Sequence, residues 1–224
     1  MSRRMRARSM VPIAELAMTR AEERFLEWEL SIPVRVDVIL AVFKASLEMG
    51  TLPETCPEVT LTDSDGTKLV VIRANDPVSR QRFSAAHALG HLDLHQGRSI
   101  CLPGEKQYVE RVRETEANAF AAALLMPRAE FMYRLGRALG RMIVMPVDAT
   151  ALIEVEARQR MLSAVGHEFG VSREAVFYRI CDLGLLAESL TIDEWNEAVT
   201  KCRRDTKRSE DDPYGQIDDD EVPF

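Results

Sequence analysis

The stretch Ser84–His95, SAAHALGHLDLH, carries His87 and His91 four residues apart and decides how the rest is read. Side chains at i and i+4 of a helix lie one above the other on a single face. Phe83, Leu89 and Leu92 give this run a buried side, and Gly90 leaves room for another element to come close. Immediately upstream, Pro57–Asp76 reads PEVTLTDSDGTKLVVIRAND. Alternating apolar residues on either side of DSDG predict two strands, 58–62 and 68–73, joined by a tight turn. Asp76 and Pro77 end the second strand, so a helix starting near Ser79 carries the histidines.

Outward from there, helical spacing of apolar residues predicts a helix over about 13–29. A second is expected within Ser31–Gly50, with Ser31 as N-cap, Pro33 in the first turn and Gly50 as the stop. Downstream, an alanine-rich helix over about 105–126 is ended by Pro127. Helices over about 128–139 and 147–170 follow, then a turn at Gly170 and another helix through FGVSREAVFYRICDLGLL. Thr191 and Glu194 form a capping box that opens TIDEWNEAVTKC. The expected fold is α+β: mostly helical, with a small β-sheet next to the histidine helix.

The ends differ in charge. Arg3, Arg4, Arg6 and Arg8 make 1–12 a basic, flexible start, and 203–224 is expected to be an acidic, disordered tail. Between them lie a main domain, 13–187, with a helix-turn-helix-like end piece at about 160–187, and a terminal helix, 188–202. The net charge of −7 argues against a protein that coats nucleic acid. No run reaches the length of a membrane span. Glu15 and Arg20 interrupt any secretory apolar core. Cys56, Cys101, Cys181 and Cys202 form no CxxC pair, so reduced thiols in the cytoplasm are expected.

His87 and His91 can aim ring nitrogens at one ion. Zinc takes about four ligands, and a catalytic site leaves one position for water. A third ligand is sought in Glu114–Phe120, ETEANAF. A carboxylate in an alanine-lined seam between helices is costly unless it is paired or bound to metal. That argument favours Glu116, with Glu114, two residues earlier on a different face, as its rival or as a residue that supports the ligands. His95 continues the i, i+4 series but is rotated by about 80° from His87. It therefore reads as a packing or supporting residue.

These motifs resemble the ImmA/IrrE-type zinc metallopeptidases. The family pattern is roughly F-x-x-A-H-E-x-G-H, a spacer, E-x-E-A-N-x-F-A and L-L-M-P. RFSAAHALGHLDLH and ETEANAFAAALLMP match it, as do IPVRVDVIL, the hairpin and the segment after Phe169, over about 30–187. The resemblance implies a zincin-like fold with zinc on His87, His91 and Glu116. It also implies cleavage of a partner, usually a helix-turn-helix transcriptional repressor, to switch on stress or phage-defence genes. Single-stranded DNA or other DNA damage products are the expected trigger.

One position departs. Ala88 stands where the family has the glutamate that moves protons as general base and acid. A placed base contributes about 10²–10⁴-fold, and a methyl group moves no proton, so near-loss of activity is expected. Asp93, two residues past His91, is off the ligand face. Ala88 has two readings: a natural pseudoprotease that binds a repressor or DNA, or a glutamate replaced in an otherwise intact motif. The intact remainder favours the second. A third reading is a helix-turn-helix DNA-binding protein with structural zinc, in which Ser172, Arg173 and Arg179 reach base edges. Cys101 is a candidate regulatory ligand whose thiolate would fill the open metal position; the alternative is an inert cysteine. Tyr108 and Tyr133 are candidates to assist an oxyanion, and His167 has no evident partner.

Overall fold

The computed structural model describes residues 3–95, 107–140, 147–186 and 190–211. The two strands around DSDG are β2 (Glu58–Thr62) and β3 (Lys68–Arg73), at the expected bounds. They pair antiparallel, with Glu58 opposite Ile72 and Thr62 opposite Lys68. The turn closes through Gly66 N–H donating to the Asp63 carbonyl, with Gly66 at φ 84, where a side chain would be strained. The Asp65 carboxylate accepts from the Thr67 amide at 2.8 Å.

The segment before the hairpin corrects one expectation. Instead of one helix across 31–50 there is a short α2 (Val36–Val42), then β1 (Ala45–Gly50). The Ile32–Pro33 bond is cis, and Pro33 precedes the helix rather than opening it. Lys44, at φ 54, turns the chain out of the helix. β1 then pairs parallel with β3, from Ala45–Lys68 to Gly50–Arg73, giving the order β1-β3-β2. A partner more than twenty residues away supplies the hydrogen bonds that a longer helix would have supplied locally.

The helices are α1 (Arg3–Glu27), α3 (Val78–Leu94), α4 (Gln107–Leu125), α5 (Arg128–Ala138), α6 (Ala149–Gln159), α7 (Met161–Phe169), α8 (Arg173–Asp182) and α9 (Ile192–Asp211). Helix α1 begins ten residues earlier than expected, inside the basic start. Helix α9 runs past 203 into the acidic end. Residues 212–224 lie outside the described residues. The helix expected over 147–170 is split at Arg160, which is left-handed at φ 51. The Glu156 carboxylate, 2% exposed as a residue, accepts from the Leu162 amide at 2.7 Å and so satisfies the first turn of α7. Gly170 ends α7 at φ 68, and the Ser172 hydroxyl caps α8 by accepting from the Ala175 amide. The box at Thr191 is reciprocal: the Thr191 amide donates to the Glu194 carboxylate, and the Glu194 amide donates to the Thr191 hydroxyl.

The core joins α1, α3, α4, α7 and α8 through Ala21, Leu89, Phe120, Leu124, Phe169 and Phe177. Trp195 of α9 is fully buried against Phe177. Two charge clusters fasten α1. Arg20 and Arg24 both pair with Asp93, whose side chain is 2% exposed. Glu22 pairs with the fully buried Arg179 at 3.0 Å, and Arg179 also donates to the Met126 carbonyl. No helix among the described residues is long and apolar enough to cross a membrane.

Candidate metal centre

Helix α3 brings His87 and His91 against α4 at Gly90. A Cβ on Gly90 would lie 3.2 Å from both the Cα and the carbonyl oxygen of Ala117. The missing side chain is what allows this approach. It places Glu114 beside both histidines: its Oε2 is 3.3 Å from His87 Nε2 and its Oε1 is 3.2 Å from His91 Nε2. One ligand atom from each of the three residues falls within 4.8 Å of the others.

This corrects the expectation for the third ligand. Glu116 does not join the pair; its Oε2 lies 2.8 Å from His95 Nε2. The residue weighed as the rival, Glu114, occupies that position. Alanine flanks pointed to the wrong carboxylate because residues two apart lie on nearly opposite sides of a helix. Which one meets the histidines depends on how α4 seats on Gly90.

The other nitrogens of the two histidines are also engaged. His87 Nδ1 lies 2.7 Å from Glu58 Oε1 of β2, and His91 Nδ1 lies 3.0 Å from His95 Nδ1. Sequence reasoning missed Glu58. Its signal was an acid sharing an inward strand face with Thr60, both buried, in a segment adjoining the histidine helix.

The donor set fits a divalent cation. His91 Nε2 is buried and has no hydrogen-bond partner, although Glu114 is close. Burial works against a charged His87, but Glu114 and Glu58 outweigh it and bring the group up to about 9. The contacts with His87 and His91, opposed by burial, hold the Glu114 carboxyl well below the usual carboxylate range. Two imidazole nitrogens and a carboxylate facing one another favour a positive charge between them. A proton on His87 supplies it in the protein alone, and a metal ion would supply it better.

The remaining candidates separate clearly. Ala88 is 1% exposed and belongs to the apolar core. Asp93 is held by Arg20 and Arg24, away from the ligands. Arg179 is fully buried, so its side chain reaches no base edge, and Arg173 Nη2 donates to Asn196 Oδ1. Ser172 is used as a helix cap. Tyr133 is exposed, as is His167. Cys101 and the Tyr108 side chain lie outside the described residues.

A cavity of about 930 Å³ is lined by Met18, Phe83, Ala119, Met126, Ala175 and Tyr178 among others, and His87, His91 and Glu114 are not part of its wall. Phe83 is one helical turn before His87, and Asn118, also at its wall, is one turn after Glu114. The mostly apolar cleft and the His-His-Glu cluster thus share helices α3 and α4, about one turn apart along each.

A mostly helical α+β chain with a small sheet beside an HxxxH helix has the zincin-like fold. The chain belongs to the peptidase M78 family, described as the IrrE N-terminal-like domain, which it matches over residues 53–180. No curated protein matches its sequence. Among solved structures it is similar to a Mycobacterium tuberculosis transcriptional regulator at 18% identity and a TM-score of 0.48. That likeness covers 76% of this chain and 51% of the other, so the chain spans about half the length of that relative.

Proposed function

We propose that this chain is the scaffold of a zinc-dependent endopeptidase whose substrate is a helix-turn-helix transcriptional repressor, and that Ala88 leaves it able to bind but not to cut. The observation that carries this reading is the convergence of His87, His91 and Glu114, with His91 Nε2 buried beside Glu114 and making no hydrogen bond. When bound, zinc supplies a Lewis acid that polarises a carbonyl and acidifies water. His87, His91 and Glu114 would hold it, and the cleft along Phe83 and Ala119 would receive apolar side chains of the substrate. A glutamate at position 88 would carry the proton from the attacking water to the leaving amine. Alanine carries none. Cleavage would release transcription of stress or defence genes, with single-stranded DNA as the trigger and the cytoplasm as the compartment.

The test is co-expression with a candidate repressor, followed by blotting for fragments. Ala88→Glu is expected to cleave at least about 10²-fold faster than the chain as it stands. His87→Ala in that background is expected to abolish cleavage. Fragments at equal rates from both forms would remove Ala88 from the explanation. Cleavage by neither, with a folded, zinc-loaded Ala88→Glu protein and added single strands, would favour the second reading. That reading is a natural pseudoprotease that sequesters a repressor or DNA; the burial of Ala88 in apolar core favours it, since a glutamate there must leave the core to reach the cleft.

A further inference from the structure

We infer that Glu58, and Glu116 acting through His95, are positioning residues that set the tautomers of His87 and His91 so that both Nε2 lone pairs meet at one metal ion. This rests on reading His87, His91 and Glu114 as the ligands.

A neutral imidazole carries hydrogen on one nitrogen and a lone pair on the other. A carboxylate only accepts. Glu58 Oε1, 2.7 Å from His87 Nδ1, therefore requires the hydrogen on Nδ1 and leaves Nε2 as the ligand atom. The second path is one residue longer. Glu116 Oε2, 2.8 Å from His95 Nε2, places the hydrogen of His95 on Nε2. His95 Nδ1 is then an acceptor, and His91 Nδ1, 3.0 Å away, must donate to it. His91 Nε2 is left with its lone pair, buried and facing Glu114 Oε1 at 3.2 Å without a hydrogen bond between them.

Two carboxylates on different elements, β2 and α4, thus impose the same tautomer on both histidines. Without them nothing keeps the hydrogen off Nε2, where it would block the metal. The arrangement is shielded: Glu58 is 6% exposed, and the His95 side chain 8%. Glu58 Oε2 is itself buried with no partner. A charged oxygen left bare is a cost that packing alone does not explain, and a role in holding His87 does. The same path gives Glu116 a place near the metal without making it a ligand.

The experiment measures the zinc affinity of the full chain by competition with a chromophoric chelator, and the imidazole tautomers of the zinc-loaded protein by 15N NMR. The variants are Glu58→Leu, His95→Phe, Glu116→Leu and Glu116→Gln, with His87→Ala as the control. Each Leu or Phe variant is expected to bind zinc about 10–100-fold more weakly. Glu116→Gln keeps an accepting oxygen and is expected to stay within about threefold of the parent. His95→Phe and Glu116→Leu combined should lose no more than either alone, because they act along one path. Glu58→Leu should add to them.

Parent-like affinity in the Leu and Phe variants overturns the proposal, as does an Nε2–H signal on His87 or His91. Glu116→Gln as weak as Glu116→Leu also overturns it, because that makes the charge of Glu116 the property that matters. If the parent binds no zinc, or binding survives His87→Ala, the metal reading falls and takes the proposal with it. If His87→Ala abolishes binding and the other variants do not weaken it, this proposal falls alone. Glu116 sits a quarter exposed on a helix, so Leu and Gln there are both compatible with folding, and the comparison does not hinge on Glu58→Leu.

Discussion

His87 lies between Glu58 and Glu114, and that placement predicts how the centre responds to pH. With no metal, His87 holds its proton up to about 9. A metal must displace that proton, so binding competes with it at every pH below that value. Zinc affinity should rise by about tenfold per pH unit from neutrality and flatten above about 9. Chelator competition at several pH values, corrected for the chelator's own protonation, checks this; a flat profile would mean that His87 is already neutral. The identity of the third ligand is tested at the same scale. Glu114→Gln should weaken zinc by more than the about 10–100-fold expected for a residue that only supports a ligand. A smaller loss than in Glu116→Leu would return Glu116 to the ligand set. The histidine pair was legible in the sequence because i, i+4 spacing is local. The choice between Glu114 and Glu116 was not, because it depends on how α3 and α4 seat against each other, and the residues that meet there are more than twenty positions apart in the chain. Glu58 was hidden for the same reason: only the fold brings β2 to the histidine helix.

At the scale of elements, what the sequence revealed divides by how far away the deciding partner lies. β2 and β3 were readable to the residue because alternation and the DSDG turn are contained within one stretch. The capping box at Thr191 was readable for the same reason. β1 was not, since VDVILAVFKASLEMG keeps a helix-compatible pattern and its fate is decided by β3. The break at Arg160 was also hidden, since arginine is no helix breaker and the cap comes from Glu156, six residues before the amide it satisfies. Gly90 links the elements to the site. Valine there would push branched methyl groups into the backbone of Ala117 and the ring of Phe120, each already 3.2 Å from where a Cβ would stand. Backbone yields little, so Gly90→Val should cost about 1–3 kcal/mol of stability. It should also weaken zinc, because α4 carries Glu114 away from α3. Thermal unfolding and zinc titration of the same variant check both effects. Lost stability with parental zinc affinity would show that the Gly90 contact does not set the position of Glu114.

For the whole molecule, the family match and the folding unit have different limits. The match begins at residue 53 and ends at 180, which leaves out α1, α2, β1 and α9. Those elements are not accessories. Helix α1 covers α4 with Ala17 and Ala21 almost wholly buried, and it brings Arg20 and Arg24 to Asp93 and Glu22 to Arg179. β1 supplies one whole edge of β3, and Trp195 closes the core over Phe177. Cutting the chain to 53–180 would return Asp93 and Arg179 to water, which relieves their charges. It would also uncover the apolar faces under α1 and α9 and leave β3 unpaired on one side. A domain is held by only about 5–15 kcal/mol, and burying a single large apolar side chain contributes about 1.5–3 kcal/mol. Losing several such contacts together should exceed that margin. The cut chain is therefore expected to show no cooperative thermal transition by circular dichroism, and a chain of 3–211 to keep one. A cooperative melt of 53–180 within a few degrees of the longer chain would show that the matched region folds by itself and that α1 is an attachment. The expected outcome would instead make α1 part of the metal centre's support: by covering α4, it holds Glu114 against His87 and His91.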